Sequence, residues 1–293
     1  MPDTIIPRVK MFLSQVNEGR GEISDQLVEE FGEACKNLMR SRLQEKPRKY
    51  TIRMSGIGRP MCQQQMEKAG AERVNDSPWH PMKMLLGGMV EEAVTTIMKA
   101  AGVNVESEQE AVSLQVTPEV RVNGTLDVTI DGKVYDVKSA SPYAFTNKFG
   151  PMGGFSSIVN DDPFGYVQQG YLYSEAKDMP FGGWIVVNKV DGEWAVCEPP
   201  MVDNSYRKKA LSDAATNVNT ITSDAPFRRC FGLIEETFYK KPTGNQYLDI
   251  TCSYCPYKNT CWGNVTNAPV VKSKAKTPAY RWYVGEVKGL DEH

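Results

Sequence analysis

The chain contains no apolar run of roughly twenty residues, so no membrane-spanning helix is expected. Histidine is almost missing: His80 and the terminal His293 are the only two. That scarcity leaves little room for imidazole metal ligands or a histidine acid–base pair. No GxxxxGK[ST] stretch occurs, which excludes a P-loop nucleotide motor within these residues. The opening MPDTIIPRVK lacks the basic-then-apolar pattern of a secretory signal. There is neither an internal repeat nor a low-complexity block. With 41% hydrophobic and 24% charged residues in 293, the composition is that of a globular protein with one sizeable core and appendages.

What is present in number is cysteine, seven in all. Without a secretory pattern they suggest a reducing compartment, and a cytoplasmic location in a bacterial or phage-infected host cell is expected. Cys252, Cys255 and Cys261 stand as C-x2-C-x5-C in CSYCPYKNTC. Three thiolates at that spacing reach one metal centre, but a closed zinc site or an iron–sulfur cubane normally takes four ligands. Cys35 falls on the apolar face of a predicted helix and reads as a core thiol. Cys197, in a strand, and Cys230, in a loop, read as bystanders.

Net charge is only −2, but it is unevenly spread. Residues 1–35 carry seven acidic and three basic side chains, whereas residues 36–83 carry eleven basic and four acidic ones. The basic stretch includes Arg48, Lys49, Arg53 and Arg59 and suits a surface facing phosphates, or a solvated basic face. Ser24 is placed to cap a helix over about 25–44, and a second helix runs over about 82–101 and stops at Gly102. Strands are expected at 112–116, 119–130 and 133–138, turning at Asp131-Gly132, and at 184–190 and 193–197. Residues 142–163 read as a long loop, with helices over 164–177 and 203–221. Its aromatics Tyr143, Phe145, Phe149 and Phe155 suit either stacking on bases or packing.

The central hairpin, GTLDVTIDGKVYDVKSAS, gathers charge where a core would not want it. Asp136 and Lys138 lie two apart on one strand and so project from the same face. The hairpin turn brings Asp127 close to Asp136 across the ladder. Hard carboxylate oxygens in that arrangement suit Mg2+ or Mn2+. A charged solvent-facing strand is the plainer alternative.

These residues resemble a PD-(D/E)XK nuclease of the RecB-like exonuclease branch. The family's G-x-x-D reads Gly124-Thr-Leu-Asp127, and its (D/E)-x-K reads Asp136-Val-Lys138. The resemblance implies that Asp127 and Asp136 ligate the divalent ion, joined by the backbone carbonyl of Val137, while Lys138 assists the attacking water. A preceding G-x-x-x-(H/E) is met by Gly87 and Glu91, or by Gly88 and Glu92. Both glutamates fall off the apolar face of Leu85, Met89, Ala93 and Ile97, so helical phase leaves the choice open, with Glu91 preferred. The Q-x-x-x-Y of RecB-like members reads Gln169 and Tyr173, with Gln168 as the register alternative.

Relatives of the AddB type and CRISPR-associated RecB-like exonucleases hold a [4Fe-4S] cluster on one cysteine before the core and three after it. In IRMSGIGRPMCQQQ, Arg53, Ser55 and Arg59 lead to Cys62, which the resemblance makes the fourth ligand, with Cys35 in reserve and Zn2+ as the alternative metal. The implied fold is α/β, a restriction-endonuclease-like core with a central mixed β-sheet flanked by helices, its ends clasped by the metal cluster. Four segments are expected: 1–80 with the lone cysteine, the core 81–225, a cysteine segment 226–263, and a polar, partly ordered tail 264–293. The implied activity is hydrolysis of DNA phosphodiesters by an exonuclease acting on single strands or ends, alone or with a helicase or recombination partner. A non-catalytic DNA-binding partner of the same fold and a zinc-stapled structural protein remain open.

Overall fold

The computed structural model describes residues 5–44, 50–74, 78–223, 225–271, 273 and 275–289. In chain order the helices are α1 (Ile5–Asn17), α2 (Asp25–Leu43), α3 (Met54–Ile57), α4 (Met61–Lys68) and α5 (His80–Ala100). Strands β1 (Val105–Thr117), β2 (Val120–Ile130) and β3 (Lys133–Ala140) follow. Next come α6 (Pro142–Ala144), a π-helical turn at Phe145–Phe149, α7 (Phe155–Asn160) and α8 (Tyr166–Lys177). The chain continues through β4 (Phe181–Asn188), β5 (Trp194–Cys197) and α9 (Asn204–Thr222), then β6 (Leu233–Phe238) and β7 (Lys241–Leu248). It closes with α10 (Ile250–Ser253), α11 (Lys258–Trp262), β8 (Val265–Pro269) and β9 (Tyr280–Val284). Among the described residues no helix is long and apolar enough to cross a membrane.

These elements form two compact units: residues 1–58 with 79–222, and residues 59–78 with 223–293. The first is mixed α/β. Its five-stranded sheet runs β1-β2-β3-β4-β5. The pairs are antiparallel except β3 and β4, which are parallel and joined by the crossover through α6, α7 and α8. Asp131 and Gly132 both take positive φ, 46° and 71°, as a tight two-residue hairpin turn requires. The turn fixes the register, with Ile130 opposite Lys133 and Val128 opposite Tyr135.

Alternation along the strands sorts the core into layers. Tyr135, Val137 and Ile185 pack with Val9 of α1 and with Val94 and Met98 of α5. Val122, Leu126 and Val134 pack with Met54 of α3, Leu172 and Tyr173 of α8, and Val218 of α9. Strand β4 is buried along its whole length, as a central parallel strand covered on both faces should be. Two expectations fail here. The 142–163 loop is largely helical, and its Phe145, Phe149 and Phe155 are buried around Trp184, which leaves Tyr143 as the exposed aromatic of that set. Helix α2 starts at the Ser24 cap, whose Oγ accepts from Leu27 N at 3.3 Å, yet buries none of its residues. Cys35 is therefore half-buried rather than a core thiol. The helix still lies close on α5, because a Cβ at Gly88 would meet Leu38 Cδ1 at 2.8 Å.

The second unit holds a four-stranded antiparallel sheet ordered β6-β7-β9-β8. The segment after Asn264, expected to be partly ordered, supplies two of those strands. The buried Glu236 carboxylate accepts from Tyr283 Oη at 2.5 Å, Asn245 Nδ2 at 3.0 Å and Thr243 Oγ1 at 2.9 Å, tying three strands together. The 59–78 segment is stitched to the C-terminal part by Val74 N donating to Pro256 O at 2.8 Å and Thr260 Oγ1 donating to Glu72 O at 3.0 Å.

Candidate functional site

In the first unit, strands β2 and β3 part beyond the Val128–Tyr135 pair. At the fork a side chain replaces the missing ladder bond: Asp127 Oδ2 accepts from Val137 N at 2.8 Å. Asp136 is 1% exposed, and its Oδ2 lies 2.6 Å from Lys138 Nζ. Its Oδ1 accepts no hydrogen bond, although it is buried. Such an orphaned carboxylate oxygen costs free energy unless something cationic meets it.

Glu91 reaches the same cluster from α5. Burial above all, then the Asp136 carboxylate, pushes its pKa up to about 7, against the opposing pull of Lys138 and Arg42. Glu92 instead has Glu108 and Lys99 as its charged neighbours, so the structure places Glu91, not Glu92, beside Asp136. Burial, followed by repulsion from Asp136, also raises Asp127 well above the ordinary carboxylate range. Burial works against the charge on Lys138, but Asp136 and Asp127 outweigh it and hold the ammonium firmly protonated. The arrangement is thus several carboxylates crowded around one lysine, a set that attracts a cation and poises the lysine as a fixed positive charge.

Gln169 and Tyr173 meet on α8 as their spacing implies, Gln169 Nε2 donating to Tyr173 Oη at 3.5 Å. Tyr173 is buried, and burial followed by the Asp136 charge pushes its pKa up to about 12. Gly124 explains itself here: a Cβ on it would sit 2.5 Å from Tyr173 Cε1 and 3.1 Å from Met54 Cβ. Two neighbours were not singled out from sequence. Arg42 of α2 faces Glu91, and its buried Nε has no hydrogen-bond partner. Tyr166 lies under Lys138, with Nζ 5.0 Å from the ring centroid. Arg42 had only its place in the basic stretch 36–83 to signal it, which does not point to the carboxylate cluster.

Of the basic residues, Arg53 is exposed at the start of α3, where it forms an isolated bridge with Asn123. Arg59 belongs to the second unit, its carbonyl accepting from Gln64 Nε2 at 2.8 Å. Arg48 and Lys49 lie outside the described residues.

In the second unit, Cys62, Cys252, Cys255 and Cys261 all line one small cavity, with Phe231 and Trp262 among its other walls. Burial raises Cys252 to about 11 and pushes Cys255 up as well. Among the described residues, no group of three His, Cys, Asp or Glu side chains is arranged to hold a metal ion, here or at the fork. The donor set at the cavity is nonetheless all sulfur. Cys35 and Cys197 belong to the first unit. Cys230, read from sequence as a bystander, does not line the cavity but neighbours it: its Sγ accepts from Cys62 N at 3.2 Å and is hydrogen-bonded to the Cys62 thiol. The loop carrying it is pinned by Arg229, which donates to Cys261 O at 2.6 Å and covers the Trp262 ring at 4.3 Å. Its sequence separation from the other cysteines offers no motif that predicts this.

No protein-family model matches the chain, and no curated protein matches it. Among solved structures, one described as "Crystal structure of SSO0001" is similar over 82% of this chain and 98% of that one, at 13% identity and a TM-score of 0.44. A likeness of that degree carries no argument about function.

Proposed function

We propose that the chain is a divalent-metal-dependent deoxyribonuclease with a restriction-endonuclease-like core, acting as an exonuclease on single-stranded DNA or DNA ends. The observation that carries this is the fork between β2 and β3. There Asp127, Asp136 and Glu91 crowd around Lys138, and Asp136 keeps a buried oxygen without a partner. Asp127, Asp136 and Glu91, with the Val137 carbonyl, would hold Mg2+ or Mn2+. Bound there, the ion would supply Lewis-acid polarisation of a phosphate and activation of a water. Lys138, kept charged by its carboxylate neighbours, is poised to stabilise negative charge developing on phosphate oxygens. The Tyr173–Gln169 pair braces the wall behind it. Arg53, Arg59 and the basic stretch that includes Arg48 and Lys49 would meet the DNA backbone. Such an enzyme would serve recombination, repair or DNA degradation, alone or beside a helicase.

The four cysteines at the cavity would hold a [4Fe-4S] cluster, with Zn2+ as the competing occupant. The all-thiol donor set suits either, and in either case metal binding would add folding free energy to the second unit. Anaerobic purification with iron, sulfide and zinc determination separates them.

The deciding experiment is cleavage of 5′- and 3′-labelled single- and double-stranded DNA with and without Mn2+, for the native protein and Asp136→Ala. Metal-dependent cleavage lost in the variant is expected. Full activity in Asp136→Ala would sink the mechanism, and no cleavage by the native protein under any condition would favour a non-catalytic DNA-binding role.

A further inference from the structure

Of the aromatics that suit either base stacking or packing, Phe145, Phe149 and Phe155 are core, but another ring in the same connection is not. Phe164 is 47% exposed and stacks on Tyr166, with centroids 5.4 Å apart and planes 27° apart. Tyr166 is anchored on its inner side by Phe149, 6.2 Å away, and lies under Lys138 Nζ at 5.0 Å. The turn that presents the pair is held rigidly. Asp162 accepts from Tyr166 N at 2.9 Å and Val167 N at 2.8 Å, and Gly165 takes φ +76°, a conformation that suits glycine. A phenyl ring left in water costs free energy, and a half-buried carboxylate and a left-handed glycine hold it there.

We propose that Phe164, stacked on Tyr166 beside Lys138, is an aromatic step that receives an unpaired nucleobase of a DNA strand. The proposal rests on the nuclease reading above and narrows it. Tyr166 supports the ring from one side, so an incoming base takes the free side and extends the stack. Inside a duplex each base already has neighbours on both faces, so the ring meets an unpaired or splayed base, or the open face of a terminal pair. The step therefore selects single strands or DNA ends. It also sets the spacing between a seated base and the Lys138 ammonium, which is where a phosphate of the same strand would lie.

The test uses the full chain in EDTA, so that nothing is cleaved, and reads fluorescence anisotropy. The probes are a labelled single strand of mixed sequence and the same strand made abasic throughout. Phe164→Ala should weaken binding of the mixed strand about 10-fold, as loss of one base–aromatic stack does, and leave binding of the abasic strand unchanged. Phe164→Trp should bind the mixed strand at least as well as the native protein, and Phe164→Leu, which keeps apolar bulk without a π-face, should resemble the alanine variant. Equal losses on both strands, or no loss on either, would overturn the step. If Asp136-dependent cleavage is present while Phe164→Ala binds like the native protein, the step alone falls. If the native protein neither binds nor cuts DNA, both readings fall.

Discussion

Glu91 should make the metal-free protein less stable as pH rises, and Glu91→Gln should remove that dependence. Its carboxyl has a pKa near 4.5 when unfolded and about 7 in the fold, with burial the largest cause. Below pH ~4.5 both states are protonated and nothing is lost. Between 4.5 and about 7 the unfolded chain releases the proton while the folded chain keeps it, so stability falls. Above about 7 both are ionised and the whole penalty is present. At about 1.4 kcal/mol per unit the difference is about 3 kcal/mol, or a melting shift of roughly 6–12 °C for a unit of this size. Other groups also titrate, Asp127 among them, so the quantity to read is the difference between the two proteins. With EDTA present, thermal melts from pH 4.5 to pH 8 should show a drop in the native protein larger than that in Glu91→Gln by this amount. Parallel curves would refute the placement of Glu91 in the carboxylate cluster.

Three further outcomes follow from the geometry. Asp127→Ala leaves the Val137 N–H without its acceptor in a buried site, whereas Asp127→Asn keeps an oxygen there and removes a charge; denaturant unfolding should find the asparagine variant more stable by about 1–3 kcal/mol, and the reverse order would contradict the fork. Gly124→Ala drives a methyl into Tyr173 and Met54, which are 2% and 0% exposed and cannot move aside, so an unfolding midpoint lowered by about 1–3 kcal/mol is expected, against no change if the ring is free. In metal-free protein, oxidised glutathione should produce a Cys62–Cys230 disulfide: the Cys62 thiol holds Cys230 down to about 6, so its thiolate attacks the glutathione disulfide, releasing one glutathione thiol, and Cys62 then displaces the second. Peptide mapping that finds Cys252–Cys255 instead, or the same product pattern in Cys230→Ser, would contradict the pairing.

The hairpin was legible because its signals are local and agree: a two-residue Asp-Gly turn sets the register, and the register brings Asp127 and Asp136 to the same end. The same holds for Gln169 and Tyr173, which need only one helical turn to meet. Choosing Glu91 over Glu92 required knowing which side of α5 faces the sheet, a tertiary fact that periodicity left open. The second sheet was invisible for a different reason. Strand β7, KPTGNQYL, carries Pro242 and Gly244, and β8 ends at Pro269, so neither reads as a strand in isolation. The pairing of β6, β7 and β9 is supported by the buried Glu236 network, whose members are polar and would be assigned to the surface. Cys230 likewise becomes meaningful only once Arg229 has pinned its loop.

The second unit is assembled from two stretches of chain separated by the larger part of the first, residues 79–222. During synthesis, α4 and Cys62 leave the ribosome long before the strands and the cysteines that complete their unit exist. Closing such a long loop adds little entropy cost at equilibrium, because that cost grows only logarithmically with length. The cost is one of timing instead: until the last part of the chain emerges, Cys62 has none of the cavity's other thiols beside it. Any insertion of a metal or cluster at that cavity must therefore be a late event in the life of the nascent protein, and truncations near the C-terminus should leave the first unit folded with an unpartnered α4.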